Sequence, residues 1–127
     1  MNGSLKEFYL SHGLSIDNAL ENTVTEELLE DVLHDYWEGI ESSALEIEDA
    51  LKAEDYKLYT VKVHALKSSS RLVGIMGLGD EAYEYELTGY EAQKGDEAAI
   101  AKIKNGTSEL LSKYRSYKEI FAPVFNG

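Results

Sequence analysis

The spacing of apolar residues points to an all-α chain, an antiparallel up-down-up-down four-helix bundle with a short N-terminal helical overhang. Three observations carry that expectation. Apolar residues recur at helical intervals through four long segments. β-Branched residues are scattered among Leu, Glu, Lys and Ala. The segments are joined by short connections, which favour antiparallel neighbours. At 127 residues the chain is long enough for one domain with a real core. A single domain over residues 1–127 is expected, its core running from about residue 15 to about residue 122.

Met1 to Ser4 reads as a loose start. Leu5 to Glu21 is the overhang, broken by Gly13, with Ser15 placed to cap a turn through Ile16, Ala19 and Leu20. Thr23 followed by Glu26 has the form of a capping box. The set Leu28, Leu29, Val32, Leu33, Tyr36, Trp37, Ile40, Ala44, Leu45, Ile47 and Leu51 then predicts one long helix to about Ala53. Asp55 is placed to cap the next helix, which carries Leu58, Tyr59, Val63, Leu66, Ser70 and Val73. Gly74, Gly77 and Gly79 permit a tight turn after it. Ala82, Tyr83, Tyr85, Leu87 and Tyr90 continue a third amphipathic segment, which Lys94 and Gly95 close as a glycine C-cap. Asp96 caps a last helix whose stripe runs from Ile100 to Phe121, with Gly106 a weak point inside it and Pro123 beyond its end.

Composition removes several functional classes. The chain has no cysteine, which excludes disulfides, thiolate metal sites and a cysteine nucleophile. No apolar run approaches the roughly 18 residues of a membrane span, and no leader pattern opens the sequence. A cytoplasmic location and no membrane insertion are expected. Twenty-four acidic residues against 12 basic ones leave a net charge of -12, which repels nucleic-acid backbones. The nine tyrosines therefore read as core and groove filler rather than a stacking platform. A Walker loop, a nucleophile elbow and an HExxH motif are absent. A di-metal bundle needs Glu-x-x-His on two helices, whereas only Asp31-x-x-His34 is present.

The chemistry concentrates between Lys57 and Gly74. At about 100° per residue, Lys57, Thr60, Lys67, Ser68 and Arg71 fall within about 60° of His64, while Leu66 and Val73 point nearly opposite. His64 therefore faces solvent when Leu66 and Val73 face the core. Lys67 is expected exposed on the same side, and Lys62 falls awkwardly near the core face. The helix surrounds His64 with a small side chain at Ser68 and cations at Lys57, Lys67 and Arg71, an anion site in an acidic protein. An exposed neutral imidazole with clear approach and nearby positive charge suits in-line attack on a phosphoryl group. Val61 is the best candidate for an exposed apolar docking residue beside it. His12 and His34 have ordinary surface readings.

The stretch His64, Leu66, Lys67, Ser70 and Gly74 resembles the HxLK(G/S)xS...G signature of histidine-containing phosphotransfer domains. Leu78 and Glu86 fall where that family has a leucine and the glutamate of a Leu-Glu pair. The likeness spans roughly Ile16 to Leu111, departing from the pattern at Ser68, Ile75 and Tyr85. The resemblance implies a phosphorelay intermediate. His64 would accept a phosphoryl group from a receiver-domain aspartate and pass it to another receiver. Lys67 would hold the phosphoryl oxygens, and Ser68 would leave room for the partner. It further implies a monomer that is a phosphocarrier and no self-contained enzyme. It needs no cofactor of its own, Mg²⁺ being expected in the partner. The implied partners are response-regulator receiver domains and a hybrid sensor histidine kinase. A non-catalytic adaptor bundle is the alternative.

Overall fold

Side-chain caps decide where the helices begin. Ser15 accepts from the Asn18 N–H at 3.2 Å, Asp55 from Leu58 at 3.0 Å and Asp96 from Ala99 at 2.9 Å, each satisfying a donor that the first turn leaves without a partner. The computed structural model describes residues 3–126, with side chains from Leu5 onward; Met1 and Asn2, half of the expected loose start, lie outside the described residues. The described residues form seven helices and no strand: α1 (Gly3–Ser11), α2 (Ile16–Thr23), α3 (Glu26–Glu38), α4 (Ile40–Lys52), α5 (Tyr56–Leu72), α6 (Met76–Gln93) and α7 (Glu97–Asn126). Helix α4 packs on α5, α5 on α6, α6 on α7, and α7 returns to α4.

Several expectations about caps and helix ends are corrected. The cap of α3 is Thr25, whose side chain accepts from the Leu28 N–H at 3.1 Å. Thr23 is buried at the end of α2, where its hydroxyl donates to Ala19 O at 2.9 Å. The single long helix is two, because Gly39 interrupts it for one residue, glycine being a poor helix former. Gly77 and Gly79 lie inside α6 rather than in a turn. Only Gly74 in that connection has positive φ, at +83°, and a Cβ there would come 2.3 Å from Ser15 O. Ser15 N donates to Gly74 O at 2.9 Å, so this glycine lets α2 lie against the α5–α6 turn. Finally, α7 continues through Pro123. Val124 and Phe125 pack on the core, which offsets the missing N–H in the last turn.

The core starts well before residue 15. Leu5 and Tyr9 are fully buried, and Tyr9 donates to Val73 O at 2.6 Å. The N-terminal segment therefore covers the end of α5 instead of overhanging it. Deeper in, Tyr59 and Thr107 share a hydroxyl contact of 2.7 Å between α5 and α7, and burial pushes the Tyr59 phenol up to about 12. Tyr36 and Ser70 make the corresponding pair at 2.8 Å between α3 and α5. Each hydroxyl satisfies another, so neither is left as an unpaired buried polar group. Arg115 on α7 forks onto Glu41 and Glu48 of α4, with four contacts of 2.9 to 3.2 Å. Lys62 sits at the rim and reaches Glu46 at 2.6 Å, which resolves its awkward phase by pairing. No helix among the described residues is long and apolar enough to cross a membrane.

Candidate functional site

Helix α5 turns Tyr59, Val63, Leu66 and Ser70 inward. That periodicity aims His64 outward, and its side chain is 53% exposed. The neighbouring helix α6 presents an unexpected face. Leu78, Gly79, Ala82, Glu86, Gly89 and Ala92 are buried, whereas Tyr83, Leu87 and Tyr90 are exposed. The predicted stripe through Tyr83, Leu87 and Tyr90 is thus corrected: small residues, not aromatic ones, meet α5. Their size allows close approach. A Cβ on Gly89 would lie 2.3 Å from Thr60 Oγ1, so only a residue without a side chain fits where α6 meets α5 one turn from His64. The close approach carries Glu86 under the imidazole.

Glu86 is the hub of the site. Its side chain is 5% exposed, yet three groups reach it: His64 Nδ1 at 2.9 Å and Tyr90 OH at 3.0 Å are hydrogen-bonded to Oε2, and the Lys67 ammonium lies 2.9 Å from Oε1 as an ion pair, without the alignment of a hydrogen bond. Burial raises its pKa, but the Lys67 ammonium and the hydrogen bonds from His64 and Tyr90 outweigh that and hold the carboxyl below its ordinary value. Glu86 is therefore ionised at neutral pH. In turn, its hydrogen bond and charge raise the pKa of Tyr90. An ionised carboxylate only accepts, so the neutral His64 ring carries its proton on Nδ1 and leaves the Nε2 lone pair free. The result is a half-exposed imidazole with a fixed tautomer and a buried counter-charge behind it.

The other expected residues divide. Lys67 belongs to the site but is not the exposed lysine expected: its side chain is 15% exposed, paired with Glu86, and its ammonium lies 5.2 Å from the Tyr83 ring centroid. Tight packing of α6 covers it. Lys57 and Val61 are exposed and line, with Thr60, His64, Tyr90 and Gln93, a cleft of about 310 Å³. Ser68 is exposed one turn beyond His64 and leaves that side of the ring open. Arg71 is not gathered toward the histidine. Its guanidinium bonds Asp80 at 3.0 Å and lies 5.3 Å from the Tyr83 ring centroid, so its charge is committed to α6.

Two contributors went unassigned at the level of sequence. The sequence places Glu86 only by its position in a Leu-Glu pair, and Tyr90 only in an apolar stripe and as core or groove filler. A readable signal existed for Glu86. It shares helical spacing with Leu78, Ala82 and Gly89, so a stripe of small residues would have carried a carboxylate inward, and a buried carboxylate requires donors. His12 stacks on Phe8 with ring centroids 4.1 Å apart. His34 pairs with Glu38 on its own helix at 3.1 Å. Among the described residues, the His-carboxylate group close enough to share an ion is His34, Asp35 and Glu38. It lies along one helix, unlike the interior set from several helices that a di-metal bundle needs. Comparison of the chain with protein-family models, with curated proteins and with solved structures finds no match.

Proposed function

We propose that this chain is a phosphocarrier of the histidine-containing phosphotransfer type, accepting a phosphoryl group on His64 Nε2 from a receiver-domain aspartyl phosphate and passing it to another receiver. The observation that carries the reading is the His64–Glu86 contact of 2.9 Å, made by a half-exposed imidazole to a buried carboxylate. The sequence signature from His64 to Gly74 supports it independently. The ring of contacts among α4, α5, α6 and α7, with connections of a few residues, supports an antiparallel four-helix arrangement for these helices.

In the forward step, the Nε2 lone pair attacks phosphorus as the P–O bond to the aspartyl carboxyl breaks. The aspartate leaves as a carboxylate with the bonding pair. The new N–P bond leaves the ring cationic, with its proton still on Nδ1, and the Glu86 carboxylate 2.9 Å away holds that charge. Lys67 stands beside Glu86 and supplies positive charge for the phosphoryl oxygens, which develop a metaphosphate-like distribution in the transition state. The reverse sequence hands the group to the next receiver. Resemblance assigns a divalent cation to the receiver. The residues around His64 do not fit one, because Glu86 is already taken by His64, Tyr90 and the Lys67 ammonium and its neighbours are lysines. The exposed Val61, Leu87 and Tyr90 beside the histidine cleft offer apolar contact to the docked receiver.

The test is incubation with a receiver charged by acetyl phosphate. Acid-labile, base-stable phosphate on this chain supports the proposal; no transfer to the folded wild type from any of several receivers opposes it. Labelling by ATP and Mg²⁺ alone is expected to be absent, and its appearance would indicate an autokinase instead.

A further inference from the structure

We infer that Tyr90 is a positioning residue whose hydroxyl holds Glu86 in the orientation that keeps the His64 proton on Nδ1 and leaves Nε2 free. The consequence for transfer rests on the proposed phosphocarrier function and deepens it. The site divides Glu86 unequally. Lys67 reaches Oε1 at 2.9 Å, whereas His64 and Tyr90 both reach Oε2, at 2.9 and 3.0 Å. A carboxylate oxygen offers two in-plane lone pairs, and these two donors occupy both on Oε2. The terminal torsion of a glutamate is broad and has little preference of its own. Donors therefore set it. With Lys67 alone opposing His64, the carboxylate is free to turn toward the ammonium and away from the imidazole.

The placement of Tyr90 argues for a purpose beyond burial. It lies on α6 one turn after Glu86, where i and i+4 side chains meet. The residue is 46% exposed, so packing alone did not force Tyr90 against Glu86. Among the described residues, the other charged groups beside the imidazole are Lys57 and Lys67 on α5, which donate and cannot accept from Nδ1. Glu86 is thus the charged acceptor that selects the tautomer. A free imidazole in water prefers the proton on Nε2, the atom that must attack phosphorus. Holding Glu86 in place keeps that atom unprotonated.

Tyr90→Phe keeps the ring and removes only the hydroxyl. The experiment uses the full chain, ¹⁵N-labelled, with long-range ¹H–¹⁵N spectra of His64 recorded across an alkaline pH series until its ring signals stop changing. Wild type should show protonated Nδ1 and bare Nε2. Tyr90→Phe should show a substantial Nε2–H population, with Glu86→Gln marking the shift when the carboxylate is gone. Phosphoramidate supplies a partner-free readout: its N–P bond breaks, ammonia leaves, and an Nε2–P bond forms. Its labelling of His64 should slow about twofold to tenfold in Tyr90→Phe, with an unchanged circular dichroism melt. A wild-type tautomer spectrum in Tyr90→Phe overturns the inference. Failure of wild type to be labelled by phosphoramidate or by a charged receiver would instead count against the phosphocarrier reading, and the spectra would still decide the part played by Tyr90.

Discussion

His64 and His34 each stand beside a glutamate in different surroundings. His64 Nδ1 is hydrogen-bonded to Glu86 at 2.9 Å, whereas His34 Nδ1 lies 3.1 Å from Glu38 in an ion-pair contact only, and the two side chains are similarly exposed. The acceptors differ most. Glu38 lies four residues along the same helix with 60% of its side chain exposed, so water competes for it and the pair contributes only a few tenths of a kcal/mol. Glu86 comes from another helix, is 5% exposed, and is held by Lys67 and Tyr90 as well. It cannot relax into solvent when the imidazole changes state. The comparison locates the chemical difference between two surface histidines in the burial and wiring of their carboxylates, not in the rings.

The sharpest way to test that difference is to strip a donor from Glu86. Lys67→Ala should slow phosphotransfer from a charged receiver by roughly tenfold to a hundredfold, the loss of a charge-assisted contact worth about 1 to 3 kcal/mol. It should also destabilise the fold by about 1 to 3 kcal/mol, because a buried carboxylate loses its cation. Stopped-time transfer and denaturant melts read the two effects separately. The lysine counterpart near the surface, Lys62→Ala, should cost less than about 1 kcal/mol, since its pair with Glu46 stays wet.

Next in size is the close approach that makes Glu86 buried at all. Gly89→Ala places a methyl against Thr60, and such overpacking costs about 1 to 3 kcal/mol. If the variant melts like wild type, the α5–α6 contact is looser than described and the burial of Glu86 needs another cause.

A smaller effect is read by pH. The folded-state pKa of Glu86 is lowered, so its stabilisation is complete above the unfolded value of about 4.3 and is lost as pH falls through the folded value. The melting-temperature gap between wild type and Glu86→Gln should be present above the unfolded carboxylate value of about 4.3 and shrink as pH falls below it. The smallest change is expected at His34. His34→Gln should shift stability by less than about 0.5 kcal/mol and leave transfer untouched.

Legibility in the sequence followed the range of the interaction. Ser15, Asp55, Asp96 and the Lys94–Gly95 ending were readable because a cap is satisfied within four residues. Thr23 and Thr25 are two positions apart and both precede acidic residues, so local chemistry alone did not choose between them. Burial of Thr23 under α2 did. The outward direction of His64 was readable from Leu66 and Val73, since α5 has one clear apolar phase. Helix α6 has two competing phases, one of aromatic residues and one of Gly and Ala. Hydrophobicity favoured the first, whereas closeness of packing selected the second. The covering of Lys67, the committed charge of Arg71 and the reach of Tyr90 all follow from that choice, which is why the signature residues were visible and their partners were not.

The central claim is that His64 carries phosphate because Glu86 fixes its ring. The direct measurement is transfer from an acetyl-phosphate-charged receiver to wild type, His64→Gln and His34→Gln side by side, with the modified residue mapped and the phosphate tested for acid lability. The account predicts base-stable, acid-labile phosphate on His64 in wild type and in His34→Gln, and none in His64→Gln. Phosphate retained by His64→Gln, or lost in His34→Gln while His64 stays intact, would contradict it.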